Sequence, residues 1–329
     1  MKLGKHIFEI KILVLLLLLS LQCFAEEVDL PTDENTSATN PIKDDNKVVK
    51  KVTPSHVYQR ISNIIAEINV IRLSLGVDKE ARIPSVQVGK KPLHVYGKSL
   101  EVLEKVARTQ AALGMTPVEV GQLPFHAIKP QNVHEFNEIV LTELRRIKKY
   151  KGITSKITPA QYQEGKTPSD VYENVWQASY LIDTITGDLK PNNVYRNAEY
   201  ILVEIETIAD KLGVSANTEN TIDASESTGI NPTDVNIEGF KNLYRLNLLQ
   251  RKLAIDPVNV AAFPSGKNTP SDVFDTTNEL LAELHRVKLH LKINKPRRKL
   301  PLPDDKSPAD VLAKMQEIGF ALERLEARS

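Results

Sequence analysis

The sequence predicts an all-α protein of eight helices of about 20 residues, arranged as one-helix-plus-long-linker repeats in two similar four-helix halves. Three observations predict it: a Pro-x-x-Val opening that recurs at near-constant spacing, a common stop about 22 residues later, and an apolar stripe at fixed distances past every proline.

The openings are Pro54, Pro92, Pro130, Pro168, Pro191, Pro232, Pro270 and Pro308, each followed three residues later by valine and spaced 38, 38, 38, 23, 41, 38 and 38 residues apart. Proline suits the first helical position, where its missing N–H has no partner to lose. Thr53, Thr167, Asn231, Thr269 and Ser307 precede it as cap residues, whereas Lys91, Lys129 and Lys190 hold that place in three copies. Two places after the proline stand Asp, Asn or His, which favour the positive helix end and can reach back to the cap amide. His56 and His94 occupy this place, so capping explains them better than metal ligation.

The ends repeat as well. Gly76, Gly114, Gly152 and Gly213 are each followed by an apolar residue, the pattern of a left-handed stop. Ala254 and Lys292 replace glycine in two copies, and the fourth helix stops early at Gly187. Fourteen residues past the proline all eight copies are apolar, from Ile68 to Leu322. Seventeen past, Thr109 is the one polar residue, and ten past, Asn242 is. These spacings fall on one helical face, the expected core.

Segments around Ala66–Val77 and Val203–Val214 resemble each other at an offset of 137 residues, and Leu141–Arg146 and Leu281–Arg286 do so at 140. Duplication of a four-helix unit explains both. The expected divisions are a signal peptide at 1–25, a disordered linker at 26–51, one repeat unit at 52–188 and a second at 189–329. Tandem bundles are the expected architecture, with a continuous helical array as the alternative. Most linkers run 14 residues, enough to span roughly 46 Å, longer than a helix of about 33 Å. They can therefore return the chain to the same end and set consecutive helices parallel. Only the link 187–189 is short enough to force an antiparallel hairpin.

Lys2, Lys5 and Lys11 precede an apolar run at 12–21, and Cys23-Phe24-Ala25 offers a cleavage site. Export is expected, to the periplasm if the cell is Gram-negative; an uncleaved anchor and a lipid on Cys23 are the alternatives. Membrane contact is expected only through such an anchor. Cys23 is the one cysteine, so a cleaved chain has no thiol chemistry. Charges nearly cancel, with 43 Lys and Arg against 42 Asp and Glu, which argues against a nucleic-acid partner.

No nucleophile, metal or phosphate-loop motif is present, so neither an enzyme nor a cofactor is expected. Glu204 and Glu206 read as solvated. The basic run Arg145, Arg146, Lys148, Lys149 and Lys151 reads as complement to a helix C-terminus. Trp176 and Tyr180, in the shortened fourth helix, and Arg297, Arg298 and Lys299, in the seventh linker, are the candidate surface for a partner or ligand. A protein-interaction or scaffold module is the expected class. Its rival is a helical-bundle sensor or carrier of a small apolar ligand.

Overall fold

Every repeated proline begins a helix in the computed structural model, which describes residues 51–187, 189–214 and 229–328. The signal segment 1–25, the linker at 26–50 and Cys23 lie outside the described residues. The helices are α1 Pro54–Ser74, α2 Pro92–Ala112, α3 Pro130–Tyr150, α4 Pro168–Thr186, α5 Pro191–Leu212, α6 Pro232–Lys252, α7 Pro270–His290 and α8 Pro308–Arg328. Among the described residues there is no strand.

One hydrogen bond opens all eight. The backbone N–H of the residue before the proline donates to the side chain two places after it, at 2.7–3.3 Å. The acceptor is Asp in four copies, Asn in two and histidine Nδ1 in His56 and His94. The bond uses the cap residue's main chain, so that residue's side chain is free to vary. This is why lysine serves there three times.

The stops are equally uniform. Val77, Met115, Ile153, Val214, Ile255 and Ile293 each donate to the carbonyl five residues back, at 2.8–3.0 Å. The residue before each is left-handed, and in Ala254 and Lys292 this falls on a side chain, at φ 55°. Left-handed backbone costs a non-glycine residue about 1–2 kcal/mol, partly offset by glycine's greater freedom when unfolded. Lys292→Gly is therefore expected to raise stability by about 0.5–1 kcal/mol in urea denaturation. A loss of stability would show that this turn stores no strain.

The residue eighteen past the proline ties down the return linker. Arg72 and Lys148 donate to the carbonyls of Lys79 and Ser155, and Lys288 to that of Lys295; Gln110 and Gln250 accept from the amides of Val118 and Val258. Four of the five also hold a glutamate of a neighbouring helix, thirteen past its own proline: Gln110 with Glu143, Lys148 with Glu67, Gln250 with Glu283 and Lys288 with Glu204. Glu204 is thus buried against Lys288, contrary to its reading as solvated, while Glu206 is exposed. Lys148 in the basic run has this structural task as well.

The linker after α3 shows the return path. It leaves at Ser155, passes the middle of α1 where Gln59 and Asn63 bond Ala160, and ends with the Lys166 amide on Ser55 at the start of α1. The linker after α7 repeats this along α5, through Lys295, Leu300 on Tyr200, and Lys306 on Asn192. Helices therefore run parallel within each half. In the first, Pro54, Pro92, Pro130 and Pro168 meet at one end with their valines; in the second, Pro191, Pro232, Pro270 and Pro308 do the same. The gaps among them are only about 10 and 20 Å³, no more than a water molecule needs.

Each half is a four-helix bundle. α1 and α2 each pack on α3 and α4, and α5 and α6 each pack on α7 and α8. The fourteenth residue past the proline is buried in all eight copies. Asn242, the polar exception in the stripe, is buried too; it donates to the Met315 carbonyl and accepts from Arg245, against the bare face of Gly319. The expected α4–α5 hairpin does not form: α4 and α5 make no contact. Instead α2 packs on α7, and the eight helices belong to one compact unit. Among the described residues no helix is long and apolar enough to cross a membrane.

Candidate functional site

The seam between the bundles is made by charged side chains. α2 runs antiparallel to α7, so that His94 near the start of α2 meets Glu283 far along α7, while Lys98 meets Asp275 nearer its start. His94 accepts the Lys91 amide on Nδ1, which places its proton on Nε2, and that N–H donates to Glu283 at 2.6 Å. At the edge Lys90 pairs with Glu279 at 2.6 Å, and Arg82 forks onto both oxygens of Asp272 at 2.5 and 2.9 Å.

At the centre five ionisable groups are out of water: Lys98, Glu101, Lys105, Asp183 and Asp275. Lys98 holds Glu101 at 2.8 Å and also Asp275. Lys105 holds Asp183 at 2.7 Å and Glu101 at 3.2 Å. Glu101 further accepts from Ser179 at 2.5 Å and Asn278 at 3.0 Å. Burial alone would raise Glu101, but Lys98 and Lys105 more than offset it and hold it well below the usual carboxylate range. Burial, reinforced by the Glu101 charge, pushes Asp275 far up, and burial raises Asp183 against the pull of Lys105. Three carboxyl groups face two ammonium groups, so the cluster balances when Asp275 carries a proton.

Trp176 and Tyr180 lie in this seam. The indole packs against Tyr172 and Tyr180 at 6.0 and 5.6 Å, with the Lys98 ammonium 5.2 Å from its ring. Tyr180 hydroxyl meets Arg82 and Asp272. Both residues are buried, so they join the bundles rather than offering an open surface.

Beside the seam opens a cleft of about 340 Å³ between α2, α5, α7 and the linkers that follow α2 and α7. Here the run at 297–299 divides. Arg297 turns inward, with its guanidinium 4.3 Å from the centre of the Tyr200 ring; Arg298 is exposed; Lys299 reaches Glu119 across the cleft mouth at 3.4 Å. Among the described residues Arg297 has no ion-pair or hydrogen-bond partner, and its Nε is fully buried. Burial lowers its pKa. Arg196, on the facing wall, pairs with Glu104.

No family model, curated protein or solved structure matches the chain. Its chemistry therefore rests on the side chains alone. Among the described residues no three of His, Cys, Asp and Glu stand together as metal ligands. His285 is buried beside Phe125, 5.5 Å between ring centres, and burial and then Lys288 bring its pKa down to about 4, so it is neutral at physiological pH. The sequence reading missed Lys98, Glu101, Lys105, Asp183 and Asp275. The signal was a basic series on α2 facing an acidic series, Asp272, Asp275, Glu279 and Glu283, on α7.

Proposed function

We propose that this is a non-enzymatic, exported protein-interaction or scaffold module, periplasmic in a Gram-negative cell, whose docking face is the outer side of α6. The observation that carries this reading is a stripe of exposed apolar side chains there: Ile237, Tyr244 and Leu248, exposed by 43, 58 and 51 %. Their spacings of seven and four residues set them on one helical face. Phe263, also exposed, extends the stripe by packing on Phe240 at 5.0 Å. Lys241 and Arg251 stand exposed beside it, and Glu238 is turned inward onto Lys241 and Arg245. An amphipathic partner helix with an acidic margin complements this surface. The seam carboxylates and lysines are committed to one another, which supports a structural rather than catalytic use of them.

A photo-crosslinker placed at Tyr244 in cells is expected to trap a protein through an acidic amphipathic segment. Leu248→Glu should abolish the adduct while leaving the melting temperature within about 2 °C, because the side chain is exposed. Crosslinks only to lipid, or an adduct indifferent to Leu248→Glu, would end the reading.

A further inference from the structure

We propose that the cleft between the bundles binds a small monocarboxylate with a short apolar body, its carboxylate on Arg297 and its body against Leu100, Leu123 and Leu300. The volume of about 340 Å³ is in the range of small-ligand clefts. Charge selects the class. Lys299 faces Glu119, Arg196 faces Glu104, and Glu101 is spent on Lys98 and Lys105, which leaves Arg297 as the cleft cation in no ion pair; the carboxylates that attract it from a distance, Glu204 and Glu104, are held by Lys288 and Arg196. One negative charge is matched there; a phosphate dianion would confront Glu104 and Glu119. A guanidinium withdrawn from water gains from a carboxylate what it lost in hydration.

The repeat supplies a second line. By the offsets of 137 and 140 residues, Arg196, Tyr200 and Arg297 correspond to Gln59, Asn63 and Ile157 of the first half. There the groove between linker and helix has no cation at these three places, its cations being Arg145, Lys148, Lys149 and Lys156 at others; Gln59 and Asn63 simply bond the linker backbone at Ala160. The two arginines thus belong to the half whose groove is walled by the other bundle. They are absent where it is open.

Isothermal titration of the full chain with octanoate tests this, with octanol and inorganic phosphate as comparison probes. Saturable one-to-one binding of octanoate, weakened about ten-fold or more by Arg297→Gln and unchanged by Arg298→Gln, is the expected result. Arg297→Gln should also melt no lower than the parent, since it removes an unpaired buried charge; a structural role would lower the melting temperature. Gly97→Leu gives an independent variant. Gly97 lines the cleft, a Cβ there meets nothing within 4 Å, and its backbone is helical, so leucine fills the cleft and keeps the fold. It should abolish binding at an undiminished melting temperature. Absence of saturable octanoate binding, equal binding of octanol or phosphate, or octanoate affinity untouched by either variant would overturn the proposal.

Discussion

Lys105→Met is expected to cost about 3–5 kcal/mol at pH 7, measured by urea denaturation, although the two side chains are close in size. Lys105 lies wholly inside the seam and is the cation that Asp183 faces. Removing it leaves a buried carboxylate with no counter-charge, which must either stay charged in a poor medium or take a proton from water. Adding Asp183→Asn to the same chain removes that carboxylate. Lys98, Glu101 and a protonated Asp275 then balance, so the double variant should recover most of the loss. A double variant as weak as Lys105→Met alone would show that packing, not charge, sets the cost.

The pH dependence of that deficit has a definite sign. Burial already raises the Asp183 pKa, and loss of Lys105 raises it further. A carboxyl whose folded pKa exceeds its unfolded value of roughly 3.9 favours folding below that value and opposes it as pH climbs through the folded pKa. The Lys105→Met deficit should therefore shrink from pH 7 to pH 5. Asp275 follows the same rule in the parent protein. Glu101 follows the reverse: its folded pKa is depressed, so its contribution is present above the unfolded pKa of about 4.3 and is lost as pH falls towards the folded value.

The caps, stops and core stripe were legible in the sequence because each is local and is written several times over. Linker length permitted parallel order without requiring it, because a 14-residue segment can return along a helix or simply loop at its end. The seam was not legible, because Lys98, Glu101 and Lys105, at three- and four-residue spacing, look on one helix like a solvated face. They meet Asp183 of α4 inside the first bundle, and Asp275 only when α2 is laid antiparallel on α7. α2 therefore buries two faces, Val102 and Val106 inward and the charged row towards α7. Arg297, Arg298 and Lys299 read as one basic cluster because neighbours in sequence share charge. On an extended linker adjacent side chains point apart, so Arg297 reaches Tyr200 while Arg298 faces water. Asn242 looked like a defect in the stripe and is instead satisfied within it.

Leu144→Asp and Leu284→Asp carry the largest expected effects, and together they report how the bundles depend on each other. Both leucines are buried at the fourteenth position past their prolines, so either change places an unpaired carboxylate in a packed interior at a cost of more than about 5 kcal/mol, enough to unfold one bundle. Leu144 lies on α3, which touches only α1 and α2; Leu284 lies on α7, which packs on α5 and α6 and also forms the seam with α2. An apolar seam would drag the surviving bundle down with its neighbour. This one presents mainly charged groups, which water can solvate once they are separated. Each variant should therefore lose about half of the helical circular dichroism rather than all of it. Trp176, the sole tryptophan, distinguishes the two: its fluorescence should match the fully unfolded chain in Leu144→Asp. In Leu284→Asp it should shift only partway, because α4 stays folded while the seam beside it opens. Complete loss of helix in both variants would mean that the seam couples the bundles into one cooperative unit, and an unchanged spectrum in either would mean that the stripe does not face a core.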